Sequence, residues 1–234
     1  MSDPETIKRE MIYRDSKTFY GMIQAAPRMI SEAHVGLCKK YAGKKILDLG
    51  CATGDYCLAL EALGFECTGA DVNKEYVSLA QKKGVKARVV DGKLPFSDKE
   101  FDTVVMFEVL EHVQDKEAVL NEAKRVTKKN ILISVPDCAG FEDLKKERLA
   151  FEHFLELDHT NFFTKDSLEA LLSRHFVSFK VMEAGAIRAW LYDTKSFPRN
   201  IVSIFLRKMV SLMAAIGFLK PKYYSTLFAV VSIS

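Results

Sequence analysis

Apolar positions along this chain fall into short continuous runs separated by stretches of helical spacing. Ile46, Leu47 and Leu49 form the first clear run, Gly50 and Gly54 bracket a tight loop, and Leu58, Leu60 and Leu63 then recur at helical intervals. That order predicts a buried strand, a glycine loop and a helix. Further strands are predicted over Phe65–Asp71, Val85–Val90, Thr103–Phe107 and Asn130–Pro136, the last fully apolar and therefore central. Between them, a helix from Lys74 and a helix over Lys116–Val126, carried by Ala118, Leu120, Ala123 and Val126, fill the gaps. Thr164 caps a later helix with Asp166 in its first turn, Phe176–Met182 reads as a strand, and Tyr224–Ile233 supplies a last apolar strand. The alternation of strand and helix predicts an α/β fold with a doubly wound sheet, whose ligands sit beyond the carboxyl ends of the strands where the strand order reverses.

Three stretches depart from that rhythm. Residues 1–18 are polar, and Phe19–Tyr41 carries Met22, Ile23, Met29, Ile30, Val35 and Leu37 near helical spacing with a break at Pro27. Residues 1–41 are therefore expected to form a helical cover over the ligand mouth of a donor-binding core at 42–136. Residues 137–163 are long for a strand-to-helix connection and include a charged run followed by Phe151, His153, Phe154, Leu155 and His159, which marks a lid insertion. An apolar helical insertion is expected within 186–222. Its segment 199–219 is apolar around most of a helix, with a stripe at Asn200, Ser203, Arg207 and Ser211. Arg207 and Lys208 interrupt it, so it falls short of the ~20 apolar residues of a membrane span. That face packs over an acceptor pocket, meets a second copy in a homodimer, or lies on a membrane surface with Arg199, Lys220 and Lys222 at its flanks.

Composition narrows the class. The 234 residues suit one embellished domain, and 34 basic against 31 acidic residues leave a net charge of only +3, without a basic stripe that would announce nucleic acid. Cys38, Cys51, Cys57, Cys67 and Cys138 are odd in number and lack Cys-x-x-Cys spacing, which points to reduced thiols and a cytoplasmic setting. The charged N-terminal stretch shows no secretory apolar region.

The glycine loop carries the candidate chemistry. Asp48 and Asp55 flank it, and two acids repel a diphosphate while favouring a ligand with an ammonium and a sulfonium. A dehydrogenase is disfavoured on that ground. Asp71 ends the second strand about 20 residues beyond the loop, where a carboxylate can accept from both ribose hydroxyls, or cap the helix from Lys74. Asp91-Gly92 follows the third strand as a turn pair whose carboxylate could accept from an exocyclic amine.

Ile46-Leu-Asp-Leu-Gly-Cys-Ala-Thr-Gly54 resembles the first motif of class I S-adenosylmethionine-dependent methyltransferases, with Ala52 where the family usually has a third glycine. Asp71, Asp91-Gly92 and the block Leu94–Val113 match further motifs of the small-molecule branch, including ubiquinone-pathway O-methyltransferases, over about residues 40–180. The resemblance implies a Rossmann-like seven-stranded sheet with the last strand antiparallel at one edge, and S-adenosyl-L-methionine as donor with S-adenosyl-L-homocysteine as product. It implies donor contacts at Arg28, Asp48, Gly50, Cys51, Ala52, Gly54, Asp71, Val72, Asp91, Gly92, Phe107 and Glu108.

In-line methyl transfer needs orientation above all, and a histidine base helps when the acceptor is a hydroxyl. His112 and His159 are the candidates, while His34, His153 and His175 read as ordinary surface or half-buried residues. Glu108, Glu111 and His112 would share one face if a helix began there. The resemblance to metal-dependent RNA 2′-O-methyltransferases would then add His159 as a fourth ligand of a divalent metal, with a structural role the competing reading. The expected function is O-methylation of a small-molecule or lipid-linked acceptor. The alternatives are the RNA enzyme and a non-catalytic donor-binding subunit.

Overall fold

The computed structural model describes residues 30–138, 161–187 and 223–233, with positions 209 and 213. Arg28, His153, His159, most of the 137–163 lid and nearly all of the 186–222 insertion lie outside the described residues.

The described chain runs α1 (Glu32–Tyr41), β1 (Lys45–Leu49), α2 (Asp55–Ala62), β2 (Glu66–Asp71), α3 (Lys74–Lys82), β3 (Ala87–Val89) and β4 (Phe101–Phe107). It continues through α4 (Lys116–Val126), β5 (Thr127–Pro136), α5 (Lys165–His175), β6 (Ser178–Ile187) and β7 (Tyr223–Ser232). The sheet has seven strands in the order β3-β2-β1-β4-β5-β7-β6. β1 pairs in parallel with both β2 and β4, so the order reverses between β1 and β4. The predicted doubly wound α/β architecture is therefore present, with its switch point beside the glycine loop.

Alternation along the central strands divides the core. Val104 and Met106 of β4 and Ile131, Ile133 and Val135 of β5 join Leu120, Ala123 and Val126 of α4 and Leu168, Leu171 and Leu172 of α5. Val105 and Phe107 of β4 and Leu132 of β5 face the other way, onto Leu37 and Cys38 of α1, Cys57 and Leu60 of α2 and Val77 and Ala80 of α3. Both sheet faces are covered, which is why the inner strands read as continuous apolar runs. Local chemistry sets the helix ends. Asn73 accepts from the Glu75 and Tyr76 N–H groups, Asp115 accepts from Ala118 N–H, and Thr164 and Ser167 cap α5 reciprocally.

Some boundaries differ from the sequence expectation. β3 is shorter than Val85–Val90, β5 begins at Thr127 directly after α4, and β6 runs over 178–187 rather than 176–182. β7 is antiparallel as expected but lies between β5 and β6, so β6 is the edge strand. Among the described residues no helix is long and apolar enough to cross a membrane.

Candidate active site

The loop after β1 is built on left-handed backbone. Gly50, Ala52 and Gly54 have φ of 85°, 45° and 78°. A Cβ on Gly50 would lie 2.5 Å from Val109 Cγ2, and one on Gly54 would lie 2.9 Å from Val85 Cγ2, so close packing reinforces the need for glycine. Ala52 carries its methyl group in the same unfavourable region, a strain held by a specific bond. Ala52 N–H donates to Asp71 Oδ2 at 2.8 Å, while Asp71 Oδ1 accepts from Asn73 N–H at 2.8 Å. The Asp71 carboxylate thus ties the first strand-helix loop to the second, and Asn73, not Asp71, caps α3. Val72 beside it is 74% exposed, an apolar surface at the mouth of the crevice.

The loop acids have duties of their own. Asp55 accepts from Thr53 Oγ1 at 2.6 Å and pairs with Lys83 Nζ at 2.7 Å, which neutralises much of its charge. Asp48 is buried beneath the loop, where Cys57 Sγ approaches its Oδ2 at 3.6 Å. The repulsion these two acids offer a diphosphate is therefore weaker in the folded chain. Cys51 is buried between loop and sheet; a Cβ on Gly69 would meet its Sγ at 2.7 Å. Burial and nearby Asp48 push the Cys51 thiol up, and burial does the same to Cys38, to about 12. Asp91 and Gly92 follow β3 in an exposed turn, with Gly92 at φ 73°.

On the far side of the crevice, Phe107 ends β4 and Glu108 turns the chain with a φ of 55°. Glu108 N–H donates to Ser134, and Ser134 Oγ donates back to Glu108 Oε1 at 2.7 Å. Residues 110–112 form a turn and no helix spans 108–112, so Glu108, Glu111 and His112 do not share a helical face. Glu111 is buried and lies 3.9 Å from the Nε2 of the half-exposed His112, whereas Glu108 faces Ser134. Among the described residues no group of three or more acidic, histidine or cysteine side chains could hold a metal ion.

Two residues missed by sequence reasoning complete the site. His34 of α1 is buried, stacked on the Phe107 ring at 4.4 Å and 12°, with Nδ1 2.7 Å from the Tyr56 hydroxyl. Burial pushes its imidazole down from 6.5 to about 4, so it is neutral near pH 7. Its signal was the face it shares with Leu37 and Cys38 at i+3 and i+4, all three buried. Asn161, at the exit of the 137–163 segment, donates its amide to the carbonyls of Leu110, Glu111 and Val113, and its own N–H bonds Glu111 O at 2.9 Å. Asp137 and Phe163 form a bridge at that segment's two ends. The C-terminal end of that segment is thereby rooted on the turn that follows β4.

Comparison with known proteins agrees with this geometry. A family model described as a methyltransferase domain matches residues 24–175, more than half of the chain. Norajmaline N-methyltransferase of Rauvolfia serpentina is 35% identical over 125 residues, covering 47% of this chain and 42% of that protein. An O-methyltransferase of Aspergillus sclerotiorum is 27% identical over 217 residues, 88% of this chain and 78% of that protein. The chain spans about half the length of the first curated relatives it matches. A solved structure of an S-adenosylmethionine-dependent methyltransferase from Thermotoga maritima superposes with a TM-score of 0.62 at 17% identity, over 96% of this chain and 99% of that one. With the strand order, the pinned glycine loop and the family match all in hand, the chain belongs to the class I S-adenosylmethionine-dependent methyltransferases.

Proposed function

We propose that this protein transfers a methyl group from S-adenosylmethionine to a small-molecule acceptor, at oxygen. The observation that carries the reading is the Asp71 carboxylate, which pins Ala52 and Asn73 at the β1/β4 switch point beside exposed Val72. A carboxylate oxygen offers two lone pairs, so Asp71 can hold the loop and still accept from the donor's ribose hydroxyls. The Gly50–Gly54 backbone and Cys51 would pass under the donor's amino-acid portion. Val72 would pack on the base with Asp91-Gly92 at its edge, and Phe107 and Glu108 would face the methyl-bearing end. Arg28 fits the donor's carboxylate in this scheme, and His112 or His159 fits a base role.

The donor is consumed as a substrate and brings its own leaving group, so the protein's task is orientation, which is worth up to ~7–11 kcal/mol. Both N- and O-methyltransferases stand among the relatives, and the choice of oxygen rests on the expected histidine base. The apolar 199–219 segment supports a lipid-linked acceptor or a homodimer as an extension of the reading. The free thiols support a reducing, cytoplasmic setting. Incubation of the protein with isotope-labelled S-adenosylmethionine and a metabolite extract should give a labelled small molecule. Label retained wholly in the donor, in a protein that binds S-adenosylhomocysteine, would support the non-catalytic alternative instead.

A further inference from the structure

Three observations at the end of β4 reach beyond donor binding. His34 is 7% exposed, and among the described residues its Nε2 has no hydrogen-bond partner. That atom lies 4.0 Å from Glu108 Oε1, beyond hydrogen-bond range. Glu108, whose side chain is 32% exposed, sits on left-handed backbone that a non-glycine residue keeps only when its surroundings hold it there.

We infer that Glu108 is the acceptor-contacting catalytic residue and His34 the residue that positions it, so that the acceptor is a hydroxyl or an amine bearing a transferable proton. This rests on the methyl-transfer reading above.

The geometry assigns each part. Ser134 lies on β5, across β4 from the glycine loop, so Glu108 stands on the side of the crevice away from Asp71. Its carboxylate can only accept hydrogen bonds, and it therefore selects an acceptor atom that donates one. Ser134 holds Oε1 from one side. Behind it the His34 ring is fixed in place. Phe107 stacks on its face, and Phe228 and Tyr56 meet it edge-on at 5.2 and 5.6 Å. Tyr56 Oη, which accepts from Ser31 N–H at 3.1 Å, lies 2.7 Å from Nδ1, and the tautomer that carries the ring proton on Nε2 turns it toward the carboxylate, the favourable sign. A movement of Glu108 by about 1 Å closes the gap to His34 and satisfies the buried N–H.

As the new bond from the acceptor atom to the methyl carbon forms, the carbon–sulfur bond breaks with its electron pair staying on sulfur. The acceptor's proton passes to Glu108, which takes the base role in place of His112 or His159. The products are the methylated acceptor, S-adenosylhomocysteine and a protonated carboxyl group.

The test uses full-length protein with labelled S-adenosylmethionine and a panel of simple phenols, alcohols, amines and carboxylic acids, alongside calorimetric titration with S-adenosylhomocysteine. Transfer should be confined to hydroxyl and amine members. Glu108→Gln should lower kcat about a hundredfold at saturating S-adenosylmethionine. His34→Ala should lower kcat about tenfold or more, since misplacement by about 1 Å can cost a hundredfold. His34→Gln, which keeps an N–H donor, should restore most of that loss, a rescue that a merely structural role would not give. Transfer to carboxylic acids, no transfer to any hydroxyl or amine, full activity of Glu108→Gln, or no difference between the two His34 variants would overturn the inference. Failure of the parent to bind S-adenosylhomocysteine would instead overturn the methyl-transfer reading beneath it.

Discussion

Replacing Asp71 by Ala probes the joint on which the donor site is built. The carboxylate is 9% exposed and accepts two backbone N–H bonds, each of 2.8 Å, from Ala52 and Asn73. Hydrogen bonds to a charged group contribute about 1.5–3 kcal/mol each, so truncation removes roughly 3–6 kcal/mol of gross interaction. Asn73 is only half-buried and its N–H can be rehydrated, while Ala52 is buried and held at a φ of 45°. The net cost to folding should therefore be about 2–4 kcal/mol, read from denaturant unfolding. Donor affinity should fall separately by about 1.5–3 kcal/mol for the lost ribose bonds, roughly ten- to a hundredfold in Kd. Calorimetric titration of folded variant with S-adenosylhomocysteine measures it. Asp71→Asn keeps one accepting oxygen but turns an amide donor toward the second N–H, so it should fall between parent and Ala. A folded Asp71→Ala protein with Kd within about twofold of the parent would remove Asp71 from the donor site and refute the reasoning.

Other consequences are open to direct measurement. Because the buried His34 imidazole titrates near 4 rather than 6.5, the unfolded chain binds the extra proton between those values. Stability should be fully present above pH 6.5 and lost as pH falls toward 4, by up to about 3 kcal/mol. His34→Gln should flatten that part of the pH profile in denaturant titrations, and an unchanged slope would contradict the assigned burial. Gly50→Ala should destabilise by about 2 kcal/mol or more, because it adds a Cβ 2.5 Å from Val109 at a φ of 85°. Ala52→Gly, which relieves the same kind of strain at an entropic cost, should stay within about 1 kcal/mol of the parent in the same assay. Asn161→Ala releases three carbonyls of the turn after β4 and should cost about 1–3 kcal/mol, with S-adenosylhomocysteine affinity little changed by calorimetry.

What the sequence disclosed follows the range of the forces involved. The strand, glycine loop and helix over residues 45–62 were legible because the apolar period changes at Gly50 and Gly54, a local signal. Asp71 was legible as an acid closing β2, but its bond to Ala52, 19 residues away, was not. Asp55 looked like a free loop acid because Lys83, 28 residues on, gives no sequence hint that it will neutralise it. The Glu108, Glu111 and His112 spacing fits a helix, yet Glu108 leaves β4 in a left-handed turn fastened to Ser134 on β5. Lys128 and Lys129, exposed at the start of β5, hid the true beginning of that strand. β7 was found by its apolar run, whereas its place between β5 and β6 depends on pairing across the whole chain. His34 was the largest omission. A histidine on an apolar helix face reads as packing until Phe107, Tyr56 and Glu108 are seen around it.

The central claim is that the crevice between β1 and β4 binds the methyl donor. Parallel calorimetric titrations of the parent protein with S-adenosylhomocysteine and with NADH test it most directly. Saturable heat is expected with S-adenosylhomocysteine and none with NADH; silence with the first ligand and saturation with the second would overturn donor binding in this crevice.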